Sequence, residues 1–422
     1  MYKRIVRKDG SVVILMPQKE TKAITFEVLY KVGSRNENDK NNGVSHFVEH
    51  LMFKGTEKRP DTATISRQLD GIGAEYNAFT GKDHTGYYIK ADNSHLALAV
   101  EMLSDMLHNS KFDKAEIDRE RGVIVEEINM YEDNPMMYIE EVFEGLLYQG
   151  TVLGREIAGP RENIRNISRS SLYNYYQKYY YSGNSVIGVA GNFKEAEVLK
   201  LLDLYFPVVK KQKRVENKKV VLKKQSTPQV KILKRQLEQV QLTIGFPSIA
   251  KNDQRFIVSQ VLANILGGNM SSRLFLQIRE RRGLCYFIRA GVDGFEDISS
   301  FSIHAGLNKE KIYEALEAIK VELNKAKNKE ITEEELKQAK ENIKGRLILR
   351  LEDSGSYLSL LSGQELLGKP LKNLEQILVD LNKITLKQVN DLASEIIDWS
   401  SSNLAIIGPF ENKDKFIKVL KN

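Results

Sequence analysis

Cysteine is almost missing from this chain of 422 residues: Cys285 stands alone, so no internal disulfide can form. That excludes the small disulfide-stapled scaffolds and removes any need for an oxidising compartment. Long apolar runs are missing too. Nothing approaches the ~18 consecutive apolar residues that a membrane-crossing helix needs, and the mean hydropathy is negative. The opening residues, MYKRIVRKDG, alternate as a strand does and do not lead into the apolar core of a signal segment. At 41% apolar and 28% charged residues, the composition shows no bias towards disorder or a fibre. The expectation is a soluble, cytoplasmic protein, long enough for two domains of roughly 200 residues each.

An excess of one charge is confined to a single place. The net charge is +7, yet eleven basic residues lie between Lys210 and Arg235 against one acid, Glu216. That stretch alone carries +10, which leaves the rest of the chain at about −3. Few aromatic residues are interleaved there to stack on bases, so it reads as a solvated linker with exposed flanking strands. Neither nucleic acid nor a membrane is expected as a partner.

The chain repeats its own order of elements. In the first half a hairpin turning at Asp9-Gly10 leads to a strand, Ile24–Val32, and a helix from about Gly43 to Phe53. Two strands follow, Ala74–Thr80 and Thr85–Ala91, then several helices, and a strand Ser185–Ala190 that ends in GNF. The second half reads likewise: strand Val240–Phe246, a helix near Gln254–Leu266, another near Ser272–Arg281, strands Cys285–Val292 and Ser299–Ala305, more helices, and a strand ending in GPF. Ala91 and Ala305 are 214 positions apart, Gly191 and Gly408 217 apart. Strands grouped apart from helices predict an α+β fold made twice, each copy a mainly antiparallel sheet with helices packed on one face. The expected division is 1–212, a basic linker 213–226, and 227–422.

Chemistry-bearing residues concentrate in the first half. GVSHFVEHLMFKG places His46 and His50 four residues apart on one helix face, where both imidazoles can reach one metal ion. Glu49 shares that face and can reach a water bound to the ion, in the mirror order of HExxH. Zinc held by two histidines needs a third protein ligand and keeps a fourth position for water. ERGVIVEEI supplies Glu120, Glu126 and Glu127. Glu120 and Glu127, seven apart, share a helix face, and Glu126 is turned about 100° away. One of the facing pair can ligate while the other orients a histidine, and spacing alone does not choose between them. Where the second half should repeat the motif it reads VSQVLANILGG (Val258–Gly268), without histidine or acid.

HFVEHLMFKGT, followed by GIGAEYNAFTGKDHTGYY and ERGVIVEEINMYEDNP, resembles the M16 (pitrilysin) family of inverzincin zinc peptidases. LGGNMSSRLFLQIRERRGLCY resembles the second-domain signature of its short two-domain branch, which is similar to mitochondrial processing peptidase. The resemblance covers essentially the whole chain. It implies one Zn²⁺ per chain held by His46, His50 and Glu127, Glu120 as a supporting residue, and Glu49 as the general base. It implies that Arg279 and Tyr286 lie near the reacting carbonyl, and that Asn77, Ala78 and Thr80 form an edge strand to which a peptide adds. The expected activity is endopeptidase cleavage of short or unfolded peptides by zinc-activated water. The resemblance further implies a homodimer, or a heterodimer with a paralogue, closing as a clam-like pair around a chamber, with Arg279 and Tyr286 serving the other protomer's zinc site. The rival expectation is a catalytically inactive partner subunit with the same fold.

Overall fold

A computed structural model describes residues 2–208 and 212–421. Lys210 and Lys211 of the basic stretch lie outside the described residues; 212–228 has no regular secondary structure, and Lys213, Lys218, Lys219, Lys223 and Lys224 are exposed.

The first half runs β1 (Lys3–Val6), β2 (Val12–Pro17), β3 (Ala23–Tyr30), α1 (Val44–Leu51), α2 (Thr62–Asp70), β4 (Glu75–Thr80) and β5 (Thr85–Asp92). It continues with α3 (Leu96–Asn109), α4 (Lys114–Asp133), α5 (Pro135–Leu147), α6 (Arg161–Asn166), α7 (Arg169–Tyr179), β6 (Ser185–Gly191) and α8 (Glu195–Tyr205). The second half runs β7 (Gln229–Lys234), β8 (Gln239–Ser248), α9 (Phe256–Gly267), β9 (Cys285–Gly294), β10 (Ser299–Asn308), α10 (Ile312–Lys327) and α11 (Glu333–Leu351). It ends with α12 (Ser354–Leu366), α13 (Leu374–Asn382), α14 (Leu386–Ile396), β11 (Asn403–Gly408) and α15 (Lys413–Lys421). The segment expected as a helix near Ser272–Arg281 forms a π-helical turn, Phe275–Glu280.

The strands build two sheets, ordered β1-β2-β6-β3-β5-β4 and β7-β11-β8-β10-β9. All pairs are antiparallel except β2 with β6 and β11 with β7. The α+β fold made twice is therefore present. In each sheet one face packs against the main helical layer, through Phe26, Val28, Ile187 and Ile89 in the first and Leu242, Ile244, Phe301 and Leu404 in the second.

The other face is also covered, by one helix per sheet. Leu358, Leu361 and Leu366 of α12 close over Val12, Ile14, Met16, Leu29 and Val186. Ile139, Phe143 and Leu147 of α5 close over Ala405 and Ile407. A strand buried on both faces must be apolar at every position, which is why Val12–Met16 reads as an unbroken run. The contacts therefore divide the chain differently from the contiguous split expected. Unit 1 is Met1–Ile128, Arg155–Lys218 and Ile348–Asn373; unit 2 is Asn129–Gly154, Lys219–Leu347 and Leu374–Asn422. The cause is the second sheet face: each sheet takes its cover from the other half of the sequence.

Candidate metal centre

Helix α1 begins at Gly43, whose φ of 99° only glycine adopts without strain; a Cβ there would also lie 2.6 Å from the Ala158 carbonyl oxygen. Its first turn is held by the buried carboxylate of Glu37. Oε2 accepts from the Gly43 N–H (2.9 Å) and the Asn42 amide (2.8 Å), and Oε1 accepts from the Ser45 N–H (2.7 Å). An anion here satisfies donors that the helix leaves open and meets the positive end of its dipole. Burial outweighs those hydrogen bonds and pushes Glu37 up to about 7.

From this fixed start, one turn apart, the rings of His46 and His50 meet edge-on with centroids 4.6 Å apart. Their Nε2 atoms lie 3.3 Å from each other, and Glu127 Oε2 on α4 lies 3.6 Å from His46 Nε2 and 3.5 Å from His50 Nε2. An ion with tetrahedral bonds of about 2.0–2.1 Å keeps its ligands ~3.3–3.4 Å apart, so this triangle fits zinc. His46, His50 and Glu127 form the metal-competent group among the described residues.

The two facing glutamates meet different nitrogens of His50. Glu120, nearly sealed from solvent, takes His50 Nδ1 at 3.1 Å and so fixes which ring nitrogen points to the ion site. Lys54 Nζ lies 2.7 Å from the other Glu120 oxygen and balances its buried charge. Glu126 faces solvent. Burial holds His46 down at about 4, hence neutral. Burial also opposes charge on His50, but its hydrogen bonds to Glu120 and Glu127 prevail and raise it to about 9. Glu49 sits beside the ligands without joining them, and burial raises its carboxyl above the ordinary value.

Strand β4 is the free edge of the first sheet. Tyr76, Ala78 and Thr80 point inwards, while Glu75, Asn77 and Phe79 are exposed. The Asn77 side-chain oxygen accepts from the Ala78 N–H at 2.9 Å. Thr80 does more than sit on the edge: its hydroxyl donates to Glu49 Oε2. Sequence reasoning missed Lys54, Glu37 and this bond. Lys54 had a signal, four residues beyond His50; Glu37 had none, because it reaches the helix through a loop.

Residues 12–161 match the insulinase family (peptidase family M16), and 166–343 match the peptidase M16 inactive domain. A Bacillus subtilis protein named an uncharacterized zinc protease is 34% identical over 98% of this chain and 99% of its own length. The chain belongs to the M16 peptidase family. A Streptomyces coelicolor protein, also named an uncharacterized zinc protease, is 30% identical over 97% of this M16 chain and 90% of its own. A solved Helicobacter pylori protease superposes with a TM-score of 0.89 over 97% of the M16 chain and 99% of its own, at 23% identity. An M16 inactive-domain structure from Pseudomonas fluorescens gives 0.88 over 97% and 98%, at 17% identity. These two likenesses establish the fold alone.

In unit 2 of the M16 chain, Arg279 is the last residue but one of the π-helical turn, and Tyr286 is the second residue of the edge strand β9, 70% exposed. The structure brings them together: the guanidinium lies 4.7 Å from the Phe275 ring centroid and 5.6 Å from that of Tyr286. Unit 2 also contains a polar cavity of about 640 Å³, lined by Glu140, Glu144, Arg289, Asp293 and His304, which the sequence reading did not anticipate. No helix among the described residues is long and apolar enough to cross a membrane.

Proposed function

We propose that this chain is a zinc endopeptidase acting on short or unfolded peptides. The observation that carries the reading is the triangle of His46, His50 and Glu127 at 3.3–3.6 Å with a partly buried carboxylate, Glu49, beside it and outside the triangle. His46, His50 and Glu127 would hold zinc, which when bound would polarise a carbonyl and lower the pKa of water. Glu49 takes the proton from the attacking water and returns it to the leaving amine, and its raised pKa suits both halves of that exchange. Glu120 and Lys54 keep His50 in the tautomer that offers Nε2. The open edge of β4 accepts an extended peptide by backbone hydrogen bonds, with Asn77 turning aside to free the Ala78 N–H. A peptide must be locally unfolded to add as a strand. Arg279 and Tyr286 donate to the developing oxyanion, in a homodimer whose protomers complete each other's sites around an enclosed chamber.

The deciding experiment compares wild type with Glu49→Gln for zinc content and cleavage of an unstructured peptide. Both should hold one zinc per chain, and the variant should lose about 10²–10⁴ in rate. A variant within about tenfold of wild type would overturn the assignment of the base, since a positioned base supplies more than that. Zinc-loaded wild type that cleaves nothing would favour the inactive-subunit reading. The shared site is tested by mixing Glu49→Gln with Arg279→Ala/Tyr286→Ala: verified heterodimers should regain activity that neither variant has alone.

A further inference from the structure

Among the described residues, the Glu49 carboxylate has one hydrogen-bond donor, and it comes from another element: the Thr80 hydroxyl, bound to Oε2. Thr80 ends β4, paired with Thr85, and its side chain points inwards with Tyr76 and Ala78. The turn after it is held firmly. Gly81 N–H donates to the His84 carbonyl (2.8 Å), while Ser34 and Arg35 N–H groups donate to the Gly81 and Lys82 carbonyls (both 3.1 Å). The buried Arg35–Asp83 ion pair closes the same contact. Glu37, two residues beyond Arg35, caps α1. One short segment, Ser34–Glu37, therefore sets both the helix that carries Glu49 and the strand end that carries Thr80.

We propose that Thr80 is a positioning residue for the general base: its hydroxyl holds Glu49 Oε2 and leaves Oε1 to receive the proton of the attacking water. The hydroxyl is well suited to this. A β-branched side chain has a stiff χ1, so the strand backbone dictates where Oγ1 points. A hydrogen bond to an ionised oxygen is among the stronger neutral-to-charged contacts, and proton transfer needs donor and acceptor held in line. Thr80 can do this while a peptide occupies the strand edge. Backbone groups project along the sheet, whereas side chains stand perpendicular to it. Edge pairing and alignment of the base thus meet in one residue without competing.

The kinetic part rests on the peptidase reading, and the test separates the two. Thr80→Val keeps the shape and removes the donor; Thr80→Ser restores it. With an unstructured fluorogenic peptide and zinc-loaded protein, Thr80→Val should lower kcat about tenfold at a KM within about twofold of wild type, and Thr80→Ser should recover most of the loss. Zinc affinity by chelator competition should be the same in all three. In a Glu49→Gln background, Thr80→Val should leave the peptide Kd unchanged. In metal-free protein, the infrared carboxylate band that vanishes in Glu49→Gln should shift in Thr80→Val and not in Thr80→Ser. An unmoved band, an unchanged kcat, or a loss appearing in KM and peptide Kd would overturn the proposal. If wild type cleaves nothing, the peptidase reading fails, and the infrared shift alone decides whether Thr80 holds Glu49.

Discussion

Helices α1 and α9 hold the same place in the repeated order of elements, and their differences separate what makes the fold from what makes the site. The offset of 214 that pairs Ala91 with Ala305 carries His46, Glu49 and His50 to Gln260, Ala263 and Asn264. Nine of the twelve residues of α9 are buried, so it serves as core. In α1 the apolar side is kept by Val44, Phe47, Val48 and Leu51, while Glu49 and His50 stay partly open. Both helices are bridged by polar groups to the long helix after the sheet. His50 meets Glu120 and Glu127 on α4; Asn264 donates its amide to Asn342 on α11 at 2.9 Å. The Asn264 oxygen in turn accepts from the Asn269 amide at 3.2 Å, so both amide oxygens are engaged by donors and do not converge on an ion. The apolar faces repeat the fold, and the bridge separates a metal-competent group of side chains from a contact between amides.

The largest effect should come from making the first bridge resemble the second. Glu127→Gln should lose zinc on dialysis, measured by metal analysis, whereas Glu126→Gln, on the solvent side, should keep it. Equal loss in both would break the comparison.

Next in size is the cap. Helix α9 starts at Arg255, whose N–H donates to the solvent-side carboxylate of Asp253 two residues back, whereas α1 starts on buried Glu37, which reaches it from a separate segment. Folding raises the Glu37 pKa from the ordinary ~4.3 to about 7. Its stability contribution is then fully present below pH ~4.3 and is lost as pH rises through about 7. Against Glu37→Gln, metal-free wild type should lose ~3 kcal/mol over that window, read as a shift in urea midpoint between pH 4 and pH 8.

A smaller effect is expected at Lys54→Met, which leaves Glu120 buried without its counter-charge. Zinc affinity should fall by ~10–100-fold, the usual cost of disturbing an outer partner, with the fold retained. Chelator competition measures it. Smallest of all, Asn264→Leu leaves Asn342 short of its partner and should cost ~1 kcal/mol in thermal melting with no change in zinc content.

How much of this was legible depended on the range of the interaction. The tight turn at Asp9-Gly10, the strand pairs and the metal helix are local, and periodicity found them. The paired histidines were legible because they sit one helix turn apart on one face. Glu120 and Glu127 were legible as a facing pair but not in their roles, since those depend on which His50 nitrogen each one meets. The bond from Thr80 to Glu49 and the reach of Glu37 to α1 connect different elements, so no spacing encodes them. The exchange of α5 and α12 joins residues far apart in the chain. The hints were Val12–Met16 and Leu404–Ile407, apolar at every position where a strand covered on one face would alternate.

That exchange has a consequence for the order in which a ribosome delivers the parts. The first sheet is complete once β6 emerges at Gly191, yet the leucines that seal its second face begin at Leu358. At ~5–20 residues per second, the intervening stretch takes roughly 8–30 s to synthesise. Through that interval the nascent unit 1 leaves Val12, Ile14 and Met16 without that cover, a natural landing place for a chaperone. A premature stop just before Ser354 would strip that cover from the unit carrying His46 and His50, although the lesion lies in the other half of the gene.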